Sequence, residues 1–171
     1  MKILPVGDGP KLVKDIDAGV IFYLSHKDER CLAWKGKEAD TDYAYLIFST
    51  PFRKSDAFQM LDAASLADEV GIPFSDANLV PKFGEFESLR ASEAKIGTLL
   101  IGSKDAGLVV KKEHHHLYLF SLGEGQFVGL NSSDAWVAYS AWDIVIRVDR
   151  KAAEKHRSIL TFPTATIPSA N

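Results

Sequence analysis

The chain has 171 residues, 46% of them hydrophobic, a single cysteine, and 20 basic against 23 acidic side chains for a net charge of −3. That length suits one domain, residues 1–171, with a core that needs no metal or disulfide staple. Lone Cys31 cannot form an internal bridge, which fits a reducing compartment and excludes every cysteine-based zinc motif. The weakly acidic balance, without basic blocks, argues against nucleic acid as a partner.

Met1 to Pro10 reads as a short strand or extended arm closed by a turn at Gly7 to Pro10. Its Pro and Gly interrupt any signal-type apolar run, and no stretch approaches the roughly 20 apolar residues of a spanning helix. The sequence is therefore read as soluble and cytoplasmic, with no membrane partner. Gly19 to Ser25, Arg30 to Trp34 and Tyr43 to Ser49 alternate with charged turns and form a first β-meander. Tyr43 to Phe48 is apolar on both faces, which places it centrally.

From Ser55 the period changes. Ala57, Met60, Leu61, Ala64 and Ala67 fall at helical spacing, Asp56 with Gln59 has capping-box form, Gly71 suits a C-terminal cap, and Pro73 blocks continuation. These signals predict a firm helix near 56–70. Pro73 to Phe86 reads as a long connection, followed by a weaker helix over Glu85 to Lys95.

Ile96 to Val148 holds six apolar runs separated by Gly, Asn, Ser and Asp, a second meander: Ile96 to Ile101, Leu108 to Val110, Leu117 to Leu122, Gln126 to Leu130, Trp136 to Tyr139 and Trp142 to Val148. Trp142, Ile144, Ile146 and Val148 share one face of the last, so that strand is buried on one side and wet on the other. Leu117 to Leu122 has no polar face and must be covered on both. Asp149 then caps a predicted short C-terminal helix through Ala152, Ala153, His156, Ile159 and Leu160, and residues 161–171 form an extended or loose tail. The fold class expected is α+β, mainly antiparallel β, its two meanders forming a sandwich or barrel-like core.

His114-His115-His116 is the one cluster of metal-capable side chains that the sequence offers. On an extended segment His114 and His116 project from the same face and can reach one ion. The His-x-His spacing resembles the first metal motif of the cupins, which implies a β-barrel metal site. The resemblance covers this tripeptide alone, because Glu124 lies too far along and no Pro-Gly-His element follows. Asp40 and Asp42 form a carboxylate pair in a loop, and Cys31 lies mid-strand beside Leu32, where a thiol stays protonated. No motif names a substrate or a reaction, and no cofactor is expected.

The function expected is therefore non-catalytic: binding of a protein or small ligand, and self-association as a homodimer that covers the doubly apolar strands. The alternative is a small metal-dependent enzyme with His114 and His116 as ligands.

Overall fold

The computed structural model describes residues 8–26, 29–37, 43–49, 58–62, 64, 66–84, 86–90, 93–103, 105–111, 117–122, 125–130, 135–147 and 156–163. The elements named below are strands, together with a 3-10 turn at Val13–Asp15. In the first half the strands are β1 (Lys11–Leu12), β2 (Ile21–His26), β3 (Glu29–Lys37), β4 (Tyr43–Ser49), β5 (Gln59–Asp62), β6 (Val70–Phe74) and β7 (Asn78–Pro81). In the second they are β8 (Phe86–Arg90), β9 (Leu99–Ile101), β10 (Ala106–Lys111), β11 (Leu117–Ser121), β12 (Gln126–Gly129), β13 (Ala135–Tyr139), β14 (Trp142–Arg147) and β15 (His156–Phe162).

Twelve strands make one sheet in the order β1-β6-β2-β3-β12-β11-β10-β9-β13-β8, with β4 beside β3 and β5 beside β4 and β10. Within it β3, β4, β5, β10, β11 and β12 close on themselves as a ring. The closures are two single parallel bridges, Lys37 to Gln126 and Lys111 to Gln59; the other pairings are antiparallel. A second sheet, β15-β14-β7, lies over the first.

The pairings repeat. In repeat 1 (β1–β7), β6 pairs with β1 and β2, β2 with β3, β3 with β4, and β4 with β5. In repeat 2 (β8–β14), β13 pairs with β8 and β9, β9 with β10, β10 with β11, and β11 with β12. Each repeat's fifth strand bridges the other's third, in both cases Lys to Gln. Entry into β2 matches entry into β9. Gly19, at φ 82°, donates to Lys35 O at 2.7 Å, and Gly97, at φ 84°, donates to Val109 O at 2.8 Å. β7 and β14 pair with each other, Leu79 opposite Ile144, and both lie five residues past matched positions (74 to 79, 139 to 144). The relation is thus two-fold, and β15 has no counterpart in repeat 1 among the described residues.

Three apolar clusters follow from this plan. Trp34, Leu108, Val110, Phe120 and Phe127 of the ring pack with Phe58, Trp142, Ile144 and Ile146, so both sheets share one core. Each repeat also buries its outer face. In repeat 1 Val13, Ile16 and Leu66 cover Phe22, Leu24, Cys31 and Ala33. In repeat 2 Ala94 packs with Leu100, Val109, Leu119 and Ala138, with Leu89 and Trp136 alongside.

The six strands expected between 96 and 148 appear, but only β9 to β12 run as a meander. β13 returns beside β9, and β14, buried on its Trp142, Ile144 and Ile146 face, joins the second sheet. The α+β class is corrected to a nearly all-β fold with a mixed sheet. Among the described residues of 56–70 there is no α-helix: Gln59–Asp62 is strand β5, and β6 begins at Val70. Apolar positions at helical spacing serve here as strand positions, because β5 completes the ring between β4 and β10. Gly71 lies within β6 because Phe22 and Ile16 pack where its Cβ would be, 2.9 and 3.0 Å away. Pro73 is accepted there because β1 ends before reaching it, and its carbonyl takes the Asp8 N–H at 3.0 Å. The C-terminal helix is likewise replaced by β15, which half-buries Ile159, Leu160 and Phe162 against the shared core. Thr161 and Phe162 of the expected tail end that strand, while 164–171 lie outside the described residues. The weaker helix over 85–95 is replaced by β8, and the connection before it contains β7.

Candidate functional site

His114, His116, Asp40 and Asp42 lie outside the described residues, in the β10–β11 and β3–β4 connections. Among the described residues no three His, Cys, Asp or Glu side chains converge on a metal-sized site. Cys31 is buried in the outer core of repeat 1. Trp34 and Trp142 are core residues, and Trp142 Nε1–H donates to Gly97 O at 2.8 Å. Leu119 and Phe120 of β11 are buried in clusters on opposite faces, so the chain itself covers both sides of that strand.

Among the described residues the charged group most deeply placed is Lys35, only 4% exposed on the outer face of β3. Its ammonium donates to Ile16 O at 2.5 Å, Lys14 O at 2.7 Å and Val13 O at 3.2 Å, tying the 3-10 turn and its exit to the sheet. Burial lowers its pKa, with Asp17 and Asp15 acting in the opposite direction. All three N–H bonds of the ammonium are directed at carbonyls, so this lysine fastens the turn.

What remains is the boundary of the sheets. The larger ends at β1 and β8, the smaller at β7 and β15. Backbone groups alternate sides along a strand, so one ladder bond fixes the direction of all. Lys82 N–H donates to Ala141 O at 3.0 Å, which turns Asn78 and Val80 toward β14 and leaves Leu79 and Pro81 facing out. Pro81 has no donor, so β7 is a blunted edge. β1 is two residues long, and Val13 N–H to Glu69 O at 2.9 Å leaves only Leu12 facing out. β15 is interrupted by a register shift at Ile144/Val145.

β8 has none of these interruptions. Val109 N–H to Thr98 O at 2.9 Å and Gly102 N–H to Asp105 O at 2.8 Å turn Leu99 and Ile101 toward β13. Their partners Tyr139 and Val137 face back, so Trp136 and Ala138 bond Leu89 and Glu87 of β8. The backbone groups of Phe86, Ser88 and Arg90 therefore face outward. Arg90 N–H agrees with this direction, since it donates to Glu93 Oε2 at 3.0 Å. Leu89 anchors the strand beside Trp136, whose ring fits over Gly102 because no Cβ stands there.

Exposed apolar side chains stand beside the start of this edge. Phe86 is 63% exposed, with its ring 6.0 Å from that of Tyr139 on the neighbouring strand. Val137 shares that face, and Phe83, just before the strand, is 87% exposed. A backbone edge whose Arg90 donor alone is capped, by Glu93, and which stands beside exposed aromatic rings is the arrangement that receives an added strand: hydrogen bonds supply affinity and alternate side chains supply choice. Sequence reasoning missed it. Phe86 and Leu89 stand at i and i+3, which reads as a helix face, and only the pairing with β13 makes the segment a strand.

Comparison with known protein families, with curated proteins and with solved structures finds no match to this chain.

Proposed function

We propose that this is a non-catalytic cytoplasmic binding protein that takes up an extended polypeptide strand along β8 and associates through that edge. The observation supporting this reading is the outward row of Phe86, Ser88 and Arg90 backbone groups next to exposed Phe86 and Val137. The other ends of the two strand orders, β1, β15 and β7, are short, bulged or closed by proline. The lone buried thiol of Cys31 supports a reducing compartment.

The test is fluorescence anisotropy with labelled extended peptides of about six to eight residues, a strand's length. Apolar and polar side chains would alternate, and one peptide would carry the chain's own β8 sequence. Saturable binding is expected, with loss in Ser88→Pro, which removes an outward donor and no ladder bond. Circular dichroism and melting temperature should be unchanged in that variant. Binding that survives the proline, or no binding of any extended peptide, overturns the reading.

A further inference from the structure

We infer that the strand received at β8 is β8 of a second copy of this chain, paired antiparallel about a two-fold axis at Ser88. The inference rests on the binding reading above and names its occupant. A two-fold pair of edges is isologous, so whatever faces outward must suit itself. Three registers use the outward groups, and chemistry separates them. Centring on Glu87 sets Glu87 against Glu87 of the other copy, like charges directly opposite. Centring on Leu89 pairs only Ser88 with Arg90 and runs Phe86 past the end of the strand.

Centring on Ser88 pairs all three outward residues: Ser88 with Ser88, and Phe86 with Arg90 in both directions. Phe86, Ser88 and Arg90 project from one face, since they lie opposite Tyr139, Val137 and Ala135. Each exposed Phe86 ring then lies under a guanidinium from the other copy, a cation–π pair formed twice. Glu87 faces Leu89 instead of another carboxylate. The strand's one acidic and one basic side chain are thereby kept from their own kind directly across the ladder.

Glu93 regulates the edge. It already holds Arg90 N–H at 3.0 Å, so the first encounter makes four backbone bonds, two between the serines and two from Phe86 N–H to Arg90 O. The remaining two, from Arg90 N–H to Phe86 O, form as Glu93 swings away. A carboxylate capping an edge donor is a device against indiscriminate pairing, and here it sets the affinity for the correct partner.

The experiment is light scattering and sedimentation of the full chain across concentration. The mass should rise from 18.8 kDa toward twice that value. Ser88→Pro should weaken association at least about a hundredfold, because backbone bonds on both sides of the axis are lost. Phe86→Arg sets arginine against arginine and should weaken it about tenfold. The swap Phe86→Arg with Arg90→Phe restores both cross-strand pairs and should recover affinity to within about threefold of wild type. Glu93→Ala should tighten association about three- to tenfold by freeing Arg90 N–H. A mass of 18.8 kDa at every concentration, or a dimer indifferent to Ser88→Pro, overturns the inference. If both single substitutions weaken the dimer and the swap does not rescue it, the Ser88 register is wrong. A monomer that still binds extended peptides at β8 removes the second copy and leaves the binding reading standing; a monomer that binds none removes both.

Discussion

Repeat 1 and repeat 2 place different side chains at the same points of a common ladder. Inside the ring Trp34 stands where repeat 2 has Leu108, and Gly36 where it has Val110. Phe120 and Phe127 in turn hold the register positions that correspond to 46 and 60 of repeat 1. The ring has one interior for two halves. Identical large side chains related by a two-fold axis would collide there, and identical small ones would leave a void, so bulk taken by one half is given up by the other. Trp34 and Phe120 meet edge to face at 4.7 Å between centroids, and Phe127 lies 4.7 Å from Phe120. A Cβ on Gly36 would strike the Phe120 ring and come within 2.8 Å of Phe127.

The largest effect should come from removing the bulk that both halves share. Phe120→Ala should lose about 3–5 kcal/mol in urea unfolding, the range for a large buried ring; a loss under about 1 kcal/mol would mean that the ring has no common interior. Giving repeat 1 the valine of repeat 2, Gly36→Val, should cost about 1–3 kcal/mol through overpacking. Combined with Phe120→Leu it should cost less than the sum of the two changes, since the second makes room for the first. Strict additivity would show that the two positions do not compete for volume.

Outside the ring the contrast is polar. Lys35 holds the cover of repeat 1 by three carbonyls, where repeat 2 has apolar Val109. Lys35→Met keeps the stem and strands those carbonyls, for an expected loss of about 1.5–3 kcal/mol. A pH series adds a sign. Burial lowers the folded-state pKa below 10.5, so between the two values the unfolded chain carries more protons on this residue than the folded one. Stability from this group therefore rises with pH across that interval, up to 10.5. Wild type measured against Lys35→Met should gain as pH increases there, and a difference that shrinks instead would contradict the assignment.

A smaller effect belongs to the joints where the repeats interlock. Phe58 at φ 60° and Gly125 at φ 63° precede the two bridging glutamines, so the same left-handed turn is made by a phenylalanine in one repeat and a glycine in the other. Phe58 is held by Trp142 and Phe162, ring centroids 5.9 and 5.1 Å away, contacts that offset an unfavourable backbone. Gly125 approaches Gly19 backbone and has no such ring. Gly125→Ala should therefore cost at least about 1 kcal/mol, the left-handed penalty with a Cβ placed 3.2 Å from Gly19 backbone added to it; no measurable loss would mean that the turn relaxes.

The same contrast explains what could be read from the chain. From Ile96 onward repeat 2 was legible because its strands are separated by strong turn residues, as at Gly123-Glu124-Gly125, and because Leu117 to Leu122 reads as apolar on both faces. Repeat 1 was legible only to Ser49. Beyond it, Met60 and Leu61 are strand residues whose neighbours are distant in sequence, Lys111 among them, and local periodicity carries no trace of that. The duplication itself was hidden because the matched positions, Trp34 with Leu108 or Gly36 with Val110, are alike in register and unlike in residue. The argument for a partner also moved: β11 is covered from within the chain, and the open edge at β8, masked by helix-like spacing, now carries it.

The last contrast lies between the two hairpin connections. Counted from the bridging lysines Lys37 and Lys111, Asp40 and Asp42 occupy the positions that His114 and His116 hold in repeat 2. His114 and His116 supply two ligands, whereas a zinc site generally takes three or four from the protein. The binding reading therefore expects a chelator to leave the melting temperature unchanged, since an ion bound to the native state would add its binding free energy to folding. Added zinc should likewise shift it by no more than the scatter of the measurement. A fall on chelation that zinc restores and His114→Ala abolishes would instead favour a metal-dependent enzyme, and it would make the two connections, alike in position and opposite in chemistry, the first place to look for the remaining ligands.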